Sequence, residues 1–107
     1  MNNRDIALEF LRCFCAVDLA GLAPLLAKDL RLRGPLYRFD SRDSYLDSLK
    51  DDPPEECTYR VLSVTESKDS ISVYYDYDKR DRTITIAQLF RFENQRICEM
   101  LLVFDSK

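Results

Sequence analysis

From Cys57 onward the apolar residues of this chain recur at every second position, whereas before it they recur at helical spacing. Four runs carry the period of two: Thr58 to Glu66, Ser70 to Tyr77, Thr83 to Glu93 and Arg96 to Asp105, all rich in Val, Ile, Thr, Tyr and Phe. The links between them, Ser67-Lys68-Asp69, Asp78 to Arg82 and Asn94-Gln95, are short and polar, as in hairpins that join neighbouring strands. The pattern predicts a meander of four antiparallel strands. Such a sheet has an apolar face to bury, and the residues before Cys57 must supply its cover.

Those residues read as helices. Ile6, Phe10, Cys13 and Val17 are spaced by four, three and four, with Ala7, Leu11 and Phe14 beside them, so Asp5 to Val17 forms an apolar-faced helix capped by Asn3 or Asp5. Asp18 looks like the cap of a second helix through Leu19, Leu22, Leu25 or Leu26, and Leu30. Pro24 cannot donate to the carbonyl four residues back, so this helix is expected to be short, kinked or restarted there. Leu30 to Arg33 alternates apolar and basic side chains as a short strand, ended by Gly34-Pro35. Ser41 caps a third helix carrying Tyr45, Leu46 and Leu49, and Pro53 in the acidic loop Asp51 to Glu56 stops it by disfavouring helical geometry at the residue before. The expected fold is α+β: three N-terminal helices packed on one face of a curved, mostly antiparallel sheet.

At 107 residues the chain makes one domain, spanning 1–107. Sixteen Lys and Arg against 19 Asp and Glu give a net charge of −3. The basic residues form no stripe. Arg31 with Arg33, and Lys79 with Arg80 and Arg82, read as solvated strand and turn charges, so nucleic acid is not an expected partner. No apolar run reaches about 18 residues, and Asp5 interrupts the N-terminal stretch; a membrane is not expected and a cytoplasmic location is the default. The absence of His removes the commonest general base and metal ligand, and with it every His-dependent triad. Cys13, Cys15, Cys57 and Cys98 have no CxxC spacing and read as free, mostly packed thiols, while Asp76, Asp78 and Asp81 do not match a calcium loop. Neither metal nor cofactor is expected.

Ala16-Val17-Asp18-Leu19-Ala20-Gly21-Leu22, followed by Leu25-Leu26-Ala27-Lys28-Asp29, Arg33-Gly34-Pro35, and Gln88-Leu89-Phe90-Arg91-Phe92 with Asn94-Gln95-Arg96-Ile97, fall in an order that covers nearly the whole chain. In this order they resemble the nuclear transport factor 2-like superfamily, and within it the SnoaL-like and ketosteroid isomerase-like small proteins. There the second helix reads D-L-x-x-L … L-A-x-D and the last hairpin F-x-F-x-x-G-K-I. The resemblance implies a cone-shaped half-barrel that closes over its helices around a pocket, and a homodimer through the outer sheet face. On that frame strand parity turns Gln88 inward with Ile84, Ile86, Phe90 and Phe92, and on the last strand Met100, Leu102 and Phe104. Ala87, Leu89, Leu101 and Val103 are left as an outer apolar stripe for a second copy.

The same resemblance implies where isomerase chemistry would sit: a tyrosine in the first helix, an aspartate at the end of the first strand and a protonated aspartate in the penultimate strand. Those places hold Phe10, Gly34 and Gln88, which cannot perform it, and no catalytic residue is assigned. Any other hydrolase or isomerase would need Glu9, Asp29 or Glu99 turned inward, and parity points Glu99 out. Gln88, Tyr45 and Tyr75 make a neutral set able to meet a carbonyl or hydroxyl group; the plainer alternative is that they satisfy one another. Tyr37, Arg38 and Asp40 lie in the loop after Gly34, either closing a pocket mouth or simply solvated. The expected function is binding of a small hydrophobic ligand in a mostly apolar conical pocket lined by Phe10, Tyr45, Tyr75, Gln88, Phe90, Met100, Leu102 and Phe104. The alternative is a non-catalytic dimerisation or protein-interaction module with a filled core.

Overall fold

A computed structural model describes residues 1–105. Helix α1 (Asn3–Cys15) is capped by Asn2, one residue before the nearer of the two expected caps. The Asn2 Oδ1 accepts from the Asp5 amide at 2.8 Å, and Asp5 adds a carboxylate where the helix dipole favours one. The helix stops at Cys15, short of the expected Val17. Val17 sits in the left-handed region with φ 56°, and from there the amides of Val17 and Asp18 reach back to the carbonyls of Phe14 at 3.1 Å and Cys13 at 2.8 Å. These two bonds form a Schellman stop.

Asp18 caps α2 (Leu19–Leu22), its carboxylate accepting from the Gly21 amide at 2.9 Å. The helix does not reach Leu30. Ala23–Leu25 forms one 3-10 turn around Pro24, and the chain is extended from Leu26, so that β1 is Leu26–Arg33, longer than the alternating segment Leu30 to Arg33. A register shift against the neighbouring strand lies between Leu26 and Arg31. Leu26 and Leu30 are both fully buried, so helical spacing here belongs to an irregular strand.

The Gly34 amide donates to the Tyr37 carbonyl at 3.0 Å and turns the chain into β2 (Arg38–Phe39), a two-residue strand antiparallel to β1 inside what the sequence presents as a loop. Ser41 caps α3 (Arg42–Asp51) with its Oγ accepting from the Ser44 amide, and Pro53 follows its end. The meander is as expected: β3 (Thr58–Ser67), β4 (Ser70–Asp78), β5 (Thr83–Glu93) and β6 (Arg96–Val103), with Phe104 just beyond the last strand. The sheet order is β2-β1-β6-β5-β4-β3, and only the β1–β6 pair is parallel.

Bulges bend this sheet around the helices. Besides the irregularity in β1, one lies in β3 between Val61 and Ser63 and a second where β5 meets β6 between Arg91 and Phe92. The second re-phases β6, so Ile97 and Met100, three residues apart, are both fully buried. Helix α1 crosses the concave face, with Phe10 edge-on to Phe90 at 5.7 Å between ring centroids, and α3 covers β1 and β2, with Tyr45 against Phe39 at 5.4 Å. The result is three helices on one face of a curved six-stranded sheet.

Candidate functional site

The inside of the cone is almost full. Its cavity of about 30 Å³ is lined by Phe10, Leu11, Phe14 and Cys15 of α1, Leu32 of β1, Tyr37, Tyr45 of α3, Tyr75 and Tyr77 of β4, Gln88 of β5 and Leu102 of β6. That space holds a water molecule or two, whereas pockets for small molecules run from about 300 Å³ upward.

Two polar side chains meet there. The Tyr75 hydroxyl donates to Gln88 Oε1 at 2.6 Å, and Gln88 Nε2 approaches the Met100 sulfur at 3.3 Å, a weak acceptor. The third member of the expected set stands apart. Tyr45 lines the cavity and is 4% exposed, but its hydroxyl makes no hydrogen bond to another described residue. Burial pushes the hydroxyls of Tyr45, Tyr75 and Tyr77 well above the ordinary tyrosine value, and that of Tyr37 upward. Burial, with the neighbouring Cys57 thiol, pushes Cys15 up as well. None of these groups exchanges a proton readily near neutrality.

Phe10 and Gln88 both line the cavity, and a Cβ on Gly34 would lie 3.4 Å from the Tyr37 ring and 3.7 Å from the Leu102 Cβ, beside two further lining residues. Two of the three positions that would carry isomerase chemistry therefore border the cavity and the third lies beside its wall, without an ionisable group among them. The acids that could have replaced them point elsewhere. Glu99 is held outside by Arg91 at 3.1 Å and Arg33 at 3.4 Å; Glu9 pairs with Arg12 at 2.6 Å, which lowers its pKa, and Asp29 is exposed. Among the described residues no Asp, Glu, Lys or Arg lines the cavity.

The SnoaL-like domain family matches residues 7–100. The chain belongs to that family. Solved structures agree in fold: a nuclear transport factor 2-like protein of unknown function from Cytophaga hutchinsonii superposes with a TM-score of 0.84 at 20% identity, over 98% of this chain and 91% of that one. A SnoaL-like protein of unknown function from Burkholderia thailandensis gives 0.76 at 15% identity, over 97% and 94%. An epoxide hydrolase of the LEH-like kind from M. tuberculosis gives 0.77 at 12% identity, over 94% and 80%. No curated protein matches the sequence. The SnoaL-like and nuclear transport factor 2-like fold thus houses at least one enzyme, and at these identities the likeness is one of fold.

Within this SnoaL-like cone the eight residues expected to line a pocket divide. Phe10, Tyr45, Tyr75, Gln88 and Leu102 border the cavity. Phe90 and Met100 are fully buried packing residues, and Phe104 is half-buried against the core. Among the lining residues that the strand pattern left out, Tyr77 has the same parity as Tyr75, which was the available signal. Tyr37, read as either closing a pocket mouth or solvated, borders the cavity while staying 39% exposed. Leu11, Phe14, Cys15 and Leu32 had appeared only as apolar helix, thiol and strand residues.

Two features lie outside. An open cleft of about 1090 Å³ is bordered by Pro54 to Thr58 and Tyr77 to Asp81, and Tyr77 lines both this cleft and the inner cavity. On the convex face, Tyr74, Ala87 and Val103 stand side by side across β4, β5 and β6, with Ser72, Leu89 and Leu101 in the next row. Val103 is 60% and Tyr74 44% exposed, and Leu62, in the β3 bulge, is 51% exposed. No described helix is long and apolar enough to cross a membrane.

Proposed function

We propose that this SnoaL-like chain works as a non-catalytic self-association module, its cone filled by its own side chains and its convex sheet face covered by a second copy. The observation that carries this reading is the size of the interior: about 30 Å³, bordered by no group that is charged near neutrality. The convex face supplies the other half. Its centre is apolar along Tyr74, Ala87, Val103, Leu89 and Leu101, and its two ends differ in charge. One end carries Asp76 and Asp78 with Arg60; the other carries Arg31, Arg33 and Arg91 around Glu99. A two-fold axis running across the strands sets the acidic end of one copy against the arginine-rich end of the other, which makes a second copy the fitting occupant. Free thiols packed inside this module support a cytoplasmic setting.

Light scattering across a concentration series tests this. The native chain is expected as a dimer, and Leu101→Glu and Val103→Glu as folded monomers by circular dichroism. A native monomer at high micromolar concentration overturns the reading.

One observation favours binding of a small neutral molecule instead. The Gln88 amide meets only the weak Met100 sulfur acceptor in the interior, beside Tyr45 in the cavity wall. A ligand carbonyl there would have to displace the side chains that fill the cone. Native mass spectrometry of protein purified from cells would then show a bound mass that Gln88→Leu loses.

A further inference from the structure

The end of α1 and the approach to β3 meet at two cysteines. The Cys57 amide donates to the Cys15 carbonyl at 3.1 Å, which brings the two residues side by side, as a disulfide requires of its partners. Their thiols are neighbours, and the Cys57 thiol also neighbours the Tyr77 hydroxyl. The two differ in access. Cys15 is 3% exposed and lines the inner cavity, whereas Cys57 is half-buried and borders the open cleft. A reachable thiol backed by a buried one is the arrangement of an attacking thiol with its resolving partner. The other cysteines lack it. The Cys13 thiol lies against the carboxylates of Glu9 and Asp18, and the Cys98 thiol donates to the Arg91 carbonyl.

We propose that Cys57 and Cys15 form a dithiol that exchanges with low-molecular-weight disulfides, R–S–S–R, and closes into an intramolecular bridge. Cys57 gives its proton to water and its thiolate attacks one sulfur; the Cys57–S–S–R bond forms, the R–S–S–R bond breaks, and R–S⁻ leaves and takes up a proton. Cys15 then loses its proton and attacks the Cys57 sulfur, releasing the second R–S⁻ as R–SH. The sum is one R–S–S–R reduced to two R–SH and two protein thiols oxidised to one disulfide. The bridge ties the C-terminal end of α1 to the start of β3 beside Tyr77, which lines both the cleft and the cavity. Because burial holds the Cys15 thiol protonated, the second step quickens as pH rises.

Oxidised glutathione is the probe. The folded protein is incubated with it at mildly alkaline pH, alkylated, digested without reduction and read by mass spectrometry. The expected product has lost about 2 Da and yields a Cys15–Cys57 linked peptide, with the thermal midpoint raised by about 5 °C or more. Cys98→Ser should behave identically, and Cys15→Ser should stop at the mixed disulfide on Cys57. A native chain that accumulates glutathione adducts without the linked peptide, or that links Cys13 or Cys98 instead, overturns the proposal. The native-chain digest decides even if a variant fails to fold.

Discussion

Tyr75 donates a 2.6 Å hydrogen bond to the side-chain carbonyl of Gln88, from one strand to the next, where the two residues are 4% and 2% exposed. Tyr75→Phe leaves that carbonyl buried without a donor, at a cost of about 1–3 kcal/mol. Adding Gln88→Leu removes the orphaned acceptor, and the double variant should recover part of the loss. Urea unfolding of the four species measures this. An unchanged midpoint for Tyr75→Phe would mean that a cavity water replaces the hydroxyl.

Much of this molecule is written locally. Alternation from Thr58 onward is enough for four strands because each turn between them is short and polar, and Asp18 and Ser41 announce their helices by the oxygen they offer to a free amide. What stays hidden depends on partners distant in sequence. Leu26 and Leu30 match a helix in spacing, and only pairing with β6 reveals an irregular strand. The inward turn of Ile97 needs the bulge opposite Arg91 and Phe92, and the two residues of β2 have no pattern apart from β1. At the site, parity placed Gln88 and Tyr75 together, but no local rule says that the space between them is filled, since that depends on the summed volume of side chains from seven segments.

Val17 holds a left-handed conformation that costs a β-branched residue about 1–2 kcal/mol, and it does so to complete the Schellman stop of α1. Val17→Gly relieves that strain while giving up a half-buried side chain, so a net gain of about 0.5–1 kcal/mol is expected. Gln95 is similarly placed at φ 62°, in the two-residue turn between β5 and β6, and Gln95→Gly should gain a similar amount. Both should raise the denaturant midpoint without altering its slope. A loss of stability in Val17→Gly would show that the valine's packing outweighs its backbone strain.

Gly21 has no room for a methyl group. A Cβ there would lie 2.5 Å from the Asp18 Oδ2 and 2.8 Å from the Cys13 sulfur, and the Asp18 carboxylate is held in place by capping the Gly21 amide. Gly21→Ala must displace the cap, and losing one costs about 0.5–2 kcal/mol. Asp18→Ala in the Gly21→Ala background should then cost little more, because the cap is already gone. Full additivity in chemical denaturation would argue that the carboxylate swings aside and keeps its bond.

Alkaline pH tests the filled interior through Tyr45, Tyr75 and Tyr77, all raised above the ordinary value of 10 chiefly by burial. In the unfolded chain these phenols ionise around pH 10, while in the folded chain they keep their protons beyond it. Below that pH both states bind the same protons at these three phenols, which then add no slope, while the raised Cys15 thiol already lowers stability once its unfolded counterpart ionises above about pH 8.5. Above it the unfolded state releases protons that the folded state retains, and stability falls as pH rises, by up to about 1.4 kcal/mol per pH unit for each buried phenol. Absorbance near 295 nm should accordingly show a portion of the tyrosines ionising only as the near-ultraviolet circular dichroism of the fold disappears. If every phenol titrates while the folded signal persists, water reaches the inside of the cone, and the ligand-binding reading gains over the filled module.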